Sequence, residues 1–242
     1  MNSPRSRYQS ESARPLTSLA FITPMLVAYE AGIFVFGPTA LRNGADAWLR
    51  GLLSLLGFGQ YFMLPILAAA ILLGWHHTIR ARWNIHGRVV LGMWLESLAL
   101  GMILLVVAKL LAMLFLSTGA RFQASLDMGD LPPTICGYFG AGIYEELLFR
   151  LILLPAILGL FVWWGCKKRT AAIWAVMISS LLFSLAHYDL VSSVGDPFTL
   201  YSFVFRVLAG IFFAVLFVKR GFGIAAGTHA MYDICTLFRL SE

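Results

Sequence analysis

The chain has 242 residues, of which 60% are hydrophobic and only 12% are charged, and its mean hydropathy is +0.81. No soluble domain of this length could cover so much apolar surface with so few charged side chains, so the composition predicts an all-α, polytopic transmembrane helical bundle. The net charge of +6 arises from short basic clusters beside apolar segments, which indicates membrane-topology signals and no nucleic-acid partner.

The first fifteen residues are polar, carry Arg5, Arg7 and Arg14, and predict a flexible N-terminal tail. Residues 16–242 are predicted to form a single membrane domain, because no repeat or low-complexity linker divides them. The first span, residues 16–41, contains Glu30. We expect this side chain to pair with another helix or to face an aqueous cavity, and a role as a proton or substrate ligand is the alternative.

A turn at Asn43-Gly44, with Asp46 as a helix cap, precedes a second apolar stretch at residues 52–75. A basic loop, residues 76–88, and a third span, residues 89–116, come next. The following loop carries Asp127 and Asp130 and is the least basic of the long loops.

Residues 134–165 are apolar apart from a Glu-Glu-x-x-x-Arg cluster, and they are too many for one straight crossing of a hydrocarbon core of about 30 Å. They are either one long, kinked helix or a crossing followed by a broken segment. Two more spans, residues 171–190 and 198–218, and a final segment that ends near residue 240 give seven crossings in the first case and eight in the second. The basic clusters predict a cell-membrane protein whose N-terminus is cytoplasmic, with the loops of Asp189 and Asp196 on the other side.

The ionisable residues of the apolar segments suggest chemistry, because each costs several kcal/mol at membrane depth unless it is partnered. Glu146 and Arg150 are four residues apart, share a helix face and are predicted to form a structural ion pair. Glu145 is rotated by about 100° from Glu146, so it is left to face another group.

Two further pairs have the same helical spacing. Phe183 is placed to pack on His187, and Asp233 is placed either to orient His229 or to point with it at one small site. If these helices meet, Glu145, His187, His229 and Asp233 form a cluster suited to water activation.

Two mechanisms fit this cluster. In the first, Glu145 is the general base for a water held by His187, while His229 and Asp233 position or stabilise the oxyanion of an attacked peptide. In the second, His187, His229 and Asp233 hold zinc, which lowers the pKa of its bound water to about 7, and Glu145 accepts the proton. The local zinc motif H-E-x-x-H is absent.

The three motifs Glu145-Glu146-x-x-x-Arg150, Phe183-x-x-x-His187 and His229-x-x-x-Asp233, in this order, resemble those of the CAAX-protease and bacteriocin-processing family of intramembrane endopeptidases, also called the Abi family. The resemblance covers residues 135–238, within a protease-like core at about 133–240. It implies cleavage of a membrane-associated protein or peptide, with Glu145 as the base and both histidines in a glutamate-type or metal-dependent site.

One position departs from that family, whose prenyl-protein-processing members typically have Asn where this chain has Asp233. An ionised Asp cannot donate to an oxyanion, so that role falls to His229, with Asp233 orienting it or binding a metal. Two other classes of protein are the alternatives. An ion-coupled transporter would have internal repeats and broken helices in both halves, and a non-catalytic membrane scaffold would lack at least one of the acids or histidines.

Overall fold

A computed structural model of the chain describes residues 4–37, 42–59, 62–115, 131–188 and 195–237. The helices in chain order are α1 (Pro4–Ser12), α2 (Pro15–Phe36), α3 (Gly44–Leu55), α4 (Met63–Thr78), α5 (Gly87–Phe115), α6 (Leu131–Glu146), a π-helical segment (Leu147–Leu153), α7 (Leu154–Trp163), α8 (Lys168–Leu185), α9 (Leu200–Arg220) and α10 (Phe222–Leu237). Within these residues there is no strand, so the predicted all-α helical bundle is confirmed. The predicted loop residues Asp127, Asp130 and Asp189 lie outside the described residues.

In the part of the chain that the structure describes, five helices are long and apolar enough to cross a membrane: α2, α5, the continuous unit from Leu131 to Trp163, α8 and α9. Helix α4 is apolar but has only 16 residues, and α10, also of 16 residues, lies in the middle of the bundle. The expected seven or eight crossings stay a prediction, because the described residues contain five long candidate spans and one shorter apolar helix, α4.

The segment that could be either kinked or broken is one continuous helical unit of 33 residues. The unit is α-helical up to Glu146, π-helical from Leu147 to Leu153, and α-helical again from Leu154. The N–H of Leu154 donates a hydrogen bond to the carbonyl of Phe149, five residues earlier. Pro155 follows directly. Because proline has no N–H and crowds the carbonyl of the preceding turn, it favours a wider turn at this point.

Helix α10 forms the centre of the bundle, and every residue from Phe222 to Ala230 is buried. Its small residues allow neighbouring backbones to approach closely, as is common between membrane helices. A Cβ atom on Gly142 of α6 would lie 2.6 Å from the carbonyl oxygen of Ala226, and one on Gly227 would lie 2.5 Å from the ring of Phe21. This close approach brings the motif of α6 beside the motif of α10.

The N-terminal region differs from its prediction as a flexible tail, because residues 4–12 form helix α1. Tyr8 donates a hydrogen bond of 2.7 Å to Glu96 of α5, and Arg220 at the end of α9 binds the same carboxylate at 2.6 Å. Contacts with residues far away in the sequence therefore fix α1 in place, although its own polar composition predicts a flexible tail.

The second apolar stretch is also divided differently. The predicted cap is wrong by three residues: Asn43 caps α3 by accepting a hydrogen bond from the N–H of Asp46, which lies in the first turn of the helix. Helix α3 then ends at Leu55, and the apolar helix α4 begins only at Met63. The apolar residues after Gly51 thus belong to two helices, of which the first is short and amphipathic.

Candidate active site

The two adjacent glutamates at the end of α6 have different surroundings. Glu146 is fully buried, and its Oε2 lies 3.1 Å from Nε of Arg150, which is also fully buried. Its other oxygen, Oε1, lies 2.8 Å from Nδ1 of His229 on α10. Glu146 therefore joins its own helix to α10 through one carboxylate, although the spacing alone predicts only the contact with Arg150.

Arg150 is enclosed on all sides. Its Nη2 donates a hydrogen bond of 3.1 Å to the carbonyl of Gly210 on α9, and its guanidinium carbon lies 4.3 Å from the centroid of the Phe183 ring. A buried cation is stable only with a counter-charge, and an aromatic face adds a favourable cation–π contact. Arg150 thus ties together three of the helices around the site.

Glu145 faces the two histidines. Its Oε2 lies 3.4 Å from Nε2 of His187 and 3.8 Å from Nε2 of His229. This oxygen is buried and accepts no aligned hydrogen bond from the residues that the structure describes. Because a buried carboxylate oxygen left without a donor is costly, the arrangement suits a small donor such as water.

His187 lies just beyond the end of α8. Its Nδ1 lies 2.7 Å from the carbonyl oxygen of Phe183; since a carbonyl only accepts, Nδ1 carries the hydrogen and Nε2 points to Glu145. The carbonyl of His187 accepts a hydrogen bond of 2.8 Å from the N–H of Asp196. The ring of Phe183 contacts that of His187 edge-on, with 4.8 Å between centroids. The imidazole is therefore fixed by a hydrogen bond at Nδ1 and by packing against an aromatic ring.

Asp233 also points at this cluster, with its Oδ2 at 3.6 Å from Nε2 of His229. That distance is too long for a hydrogen bond. Asp233 therefore faces His229 without a hydrogen bond, while Glu146 binds the opposite nitrogen of the ring, and the role of Asp233 in orienting His229 stays a prediction. The other expectation drawn from the spacing, that His229 and Asp233 point at one small site, describes the arrangement found.

The cluster is closed on one side and open on the other. Arg150 and Glu146 have no exposed side-chain surface, whereas 26% of the His187 side chain is exposed. Among the residues that the structure describes, the exposed part of the cluster is thus on the side of His187 and of Asp233, whose side chain is 21% exposed, and water can reach Glu145 from this side.

His187 and His229 are oriented like the histidines of many zinc sites. In each, Nδ1 lies against an oxygen acceptor and Nε2 faces Glu145. Among the described residues, however, no group of three His, Cys, Asp or Glu side chains is arranged to hold a metal.

Two parts of the site carry no signal in the sequence. The ring of Phe213 stacks on His229 with 4.6 Å between centroids and an interplanar angle of 13°, and the carbonyl of Gly210 binds Arg150. Phe213 is one of many aromatic residues in α9, and a carbonyl acceptor exists at every position. Neither could be distinguished from its neighbours without the packing of α9 against α8 and α10.

Residues 128–235 match the sequence model of a family described as "Type II CAAX prenyl endopeptidase Rce1-like". This match covers all three motifs, so the resemblance stated from them is confirmed. No curated protein matches the chain, and no solved structure matches it.

Proposed function

We propose that this protein is an intramembrane endopeptidase in which Glu145 activates water. The proposal is supported by the match of residues 128–235 to the sequence model of the Rce1-like CAAX prenyl endopeptidase family. The observation that carries the proposal is the convergence of two imidazole nitrogens on one buried oxygen of Glu145. The substrate class is a membrane-associated protein or peptide.

The first step requires a base and a second group that holds the water. Oε2 of Glu145 and Nε2 of His187 are 3.4 Å apart, so a water molecule beside this pair, off the line that joins the two atoms, would be within hydrogen-bonding reach of both. Glu145 removes a proton as the water oxygen attacks the peptide carbonyl carbon. The proton is then delivered to the leaving nitrogen, and the C–N bond breaks to give a carboxylate and an amine.

His229 is the group placed to stabilise the oxyanion. In its doubly protonated form it presents an N–H at Nε2, while Nδ1 donates to Glu146 and Phe213 fixes the plane of the ring. A preorganised donor of this kind typically contributes a factor of about 10² to 10³ in rate. Asp233, which faces the same nitrogen, would act by stabilising that protonated form.

The decisive experiment compares the wild type with two variants of the cluster, Glu145→Gln and His187→Ala. Purified protein in detergent is incubated with a membrane-associated peptide, and the products are identified by mass spectrometry. We expect Glu145→Gln to abolish cleavage, by about 10²-fold or more, and to leave the unfolding transition in place. His187→Ala should also lose activity. Full cleavage by both variants would show that this cluster is not the site of proteolysis.

The catalytic type has its own test. Chelator treatment followed by dialysis, with metal content measured on the same sample, separates a glutamate-type enzyme from a metal-dependent one. The proposal predicts unchanged cleavage after the metal is removed. Loss of activity that zinc restores would instead assign Glu145 the role of proton acceptor for a metal-bound water.

A further inference from the structure

A buried polar cluster in the N-terminal half, outside the family match, is bonded to the helix that carries Glu145. Its centre is Glu30 of α2, which is 8% exposed. Oε1 of Glu30 accepts a hydrogen bond of 2.6 Å from the hydroxyl of Tyr144 and one of 3.0 Å from Nη2 of Arg50. Tyr144 belongs to α6 and directly precedes Glu145. A side chain far away in the sequence is therefore linked to the helix that presents the proposed base.

The last three residues of α6 contact three different parts of the bundle. Tyr144 is bound to Glu30 of α2. Glu146 is bound to His229 of α10. Glu145, which lies between them in the chain, faces the two histidines. Side chains of consecutive helical residues are about 100° apart around the helix axis. Because its two neighbours are held by other helices, the direction in which the Glu145 carboxylate leaves α6 is fixed from both sides.

The hydrogen bond from Tyr144 matters because the regular α-helix ends two residues later. From Leu147 to Leu153 the chain is π-helical, with hydrogen bonds that span five residues instead of four. The α-helical hydrogen-bond ladder therefore does not continue past Glu146 to fix the rotation of the last turn of α6. Side-chain contacts with neighbouring helices take over this role, and the hydrogen bond from Tyr144 provides one on the side of α2.

The charges around Glu30 strengthen this hydrogen bond. Nη2 of Arg50 is 3.0 Å from Glu30, and Nε of the same arginine is 2.6 Å from Asp46, so the buried carboxylate has a counter-charge. A phenol hydroxyl that donates to a carboxylate forms a charge-assisted hydrogen bond, which is shorter and roughly twice as strong as a neutral one. The distance of 2.6 Å between the hydroxyl of Tyr144 and Oε1 of Glu30 is typical of such a bond. This contact is therefore a firm link between α2 and α6.

We propose that Glu30 and Tyr144 are positioning residues for Glu145. Their hydrogen bond holds the last turn of α6 at the rotation in which Oε2 of Glu145 faces Nε2 of both histidines, at 3.4 and 3.8 Å. Neither residue touches the reacting atoms, and both act through the helix. This role rests on the proposed function, since it takes Glu145 as the base that activates water. Glu30 then serves catalysis through α6 and not as a proton or substrate ligand.

Two tyrosine variants separate positioning from general packing. Tyr144→Phe removes the hydrogen bond to Glu30, and Tyr29→Phe removes a similar one of 2.9 Å from Tyr29 to Asp46. Both tyrosines are fully buried, their rings meet edge-on with 5.5 Å between centroids, and both variants keep the ring. Only Tyr144 lies in α6, so Tyr29→Phe is the matched control.

Cleavage of the membrane-associated peptide is measured at several substrate concentrations, and unfolding is followed as SDS is titrated into mixed micelles. We expect Tyr144→Phe to lower kcat about tenfold, because a small displacement of a catalytic group is costly in rate, and to change KM by less than about twofold. Tyr29→Phe should keep the wild-type kcat. Both variants should shift the unfolding midpoint by similar amounts, since each loses one buried hydrogen bond.

Variants of Glu30 test the other partner. Glu30→Gln keeps an acceptor at Oε1, and its amide nitrogen would replace Oε2, which has no hydrogen-bond partner among the described residues. We expect this variant to keep kcat within about threefold of the wild type. Glu30→Leu removes the acceptor and should match the loss of kcat in Tyr144→Phe. Because the two residues act through one hydrogen bond, combining Tyr144→Phe with Glu30→Leu should give no further loss of kcat.

Four results would overturn the proposal: wild-type kcat in Tyr144→Phe, an equal loss of kcat in Tyr29→Phe, a Glu30→Gln variant as slow as Glu30→Leu, or a larger loss in the double variant than in either single one. A wild type that does not cleave the peptide contradicts the proposed function instead. The hold on α6 is then read from backbone amide hydrogen exchange at residues 144–147, measured by mass spectrometry. Faster exchange in Tyr144→Phe than in Tyr29→Phe supports the positioning of this turn by Glu30, and equal exchange in the two variants overturns it.

Discussion

The buried pair of Glu146 and Arg150 makes a quantitative prediction about stability. Glu146→Gln removes the charge that faces the Arg150 guanidinium at 3.1 Å and leaves a fully buried cation without a counter-charge. Breaking such a pair costs about 3–5 kcal/mol of unfolding free energy. Arg150→Met should cost a similar amount, because it leaves the Glu146 carboxylate buried and the Gly210 carbonyl without its donor.

The double variant should be more stable than the sum of the two single losses predicts. Once both charges are gone, neither is left uncompensated, and Met fills part of the space beside Phe183. We expect a coupling free energy of about 2–3 kcal/mol in a double-mutant cycle. Unfolding is followed by tryptophan fluorescence as SDS is titrated into mixed micelles.

Glu145→Gln is the control in this cycle. Among the described residues, its side chain contacts charged groups at the longer distances of 3.4 and 3.8 Å, so the substitution should change the unfolding free energy by less than about 1 kcal/mol. Additivity of the Glu146 and Arg150 variants within about 0.5 kcal/mol would refute the reasoning, since it would show that the two side chains do not stabilise each other.

Two further predictions concern packing of α6. Tyr144→Phe removes the 2.6 Å hydrogen bond to Glu30 and should lower the unfolding free energy by about 1–3 kcal/mol in the same SDS titration; an unchanged midpoint would contradict it. Gly142→Ala should cost about 1–3 kcal/mol, because its Cβ would meet the Ala226 carbonyl at 2.6 Å, whereas Gly74→Ala, with nothing within 4 Å of its Cβ, should gain about 0.5–1 kcal/mol. Equal effects of the two alanines would be inconsistent with close contact between α6 and α10.

The sequence predicts the helical architecture well because hydrophobic length is a local property. Spans at residues 16–41, 89–116 and 171–190 correspond to α2, α5 and α8, with ends that differ by a few residues. Hydrophobic length does not predict helix α1. Its residues are polar, and what holds them is Glu96, which is 88 residues away from Tyr8 in the chain.

The same division applies to the candidate site. Spacing of four residues correctly places Glu146 beside Arg150 and Phe183 beside His187, because helix geometry alone determines such pairs. It could not show that Glu146, 83 residues from His229, binds Nδ1 of that histidine. Contacts between helices depend on how each helix is rotated about its axis. A helix that is apolar on all sides has no polar face from which this rotation could be predicted.

The π-helical segment from Leu147 to Leu153 sets the rotational register of the longest helical unit. One extra residue in a turn rotates all following side chains by about 100° relative to an unbroken α-helix. Glu145 and Glu146 lie before this extra residue, and Pro155 lies after it. The side chains of α7 are therefore rotated relative to the face of α6 that carries Glu145. Deletion of a single residue within the segment would restore a regular α-helix and turn one half of the unit against the other. The length of this stretch is therefore as much a part of the site as the identity of its side chains.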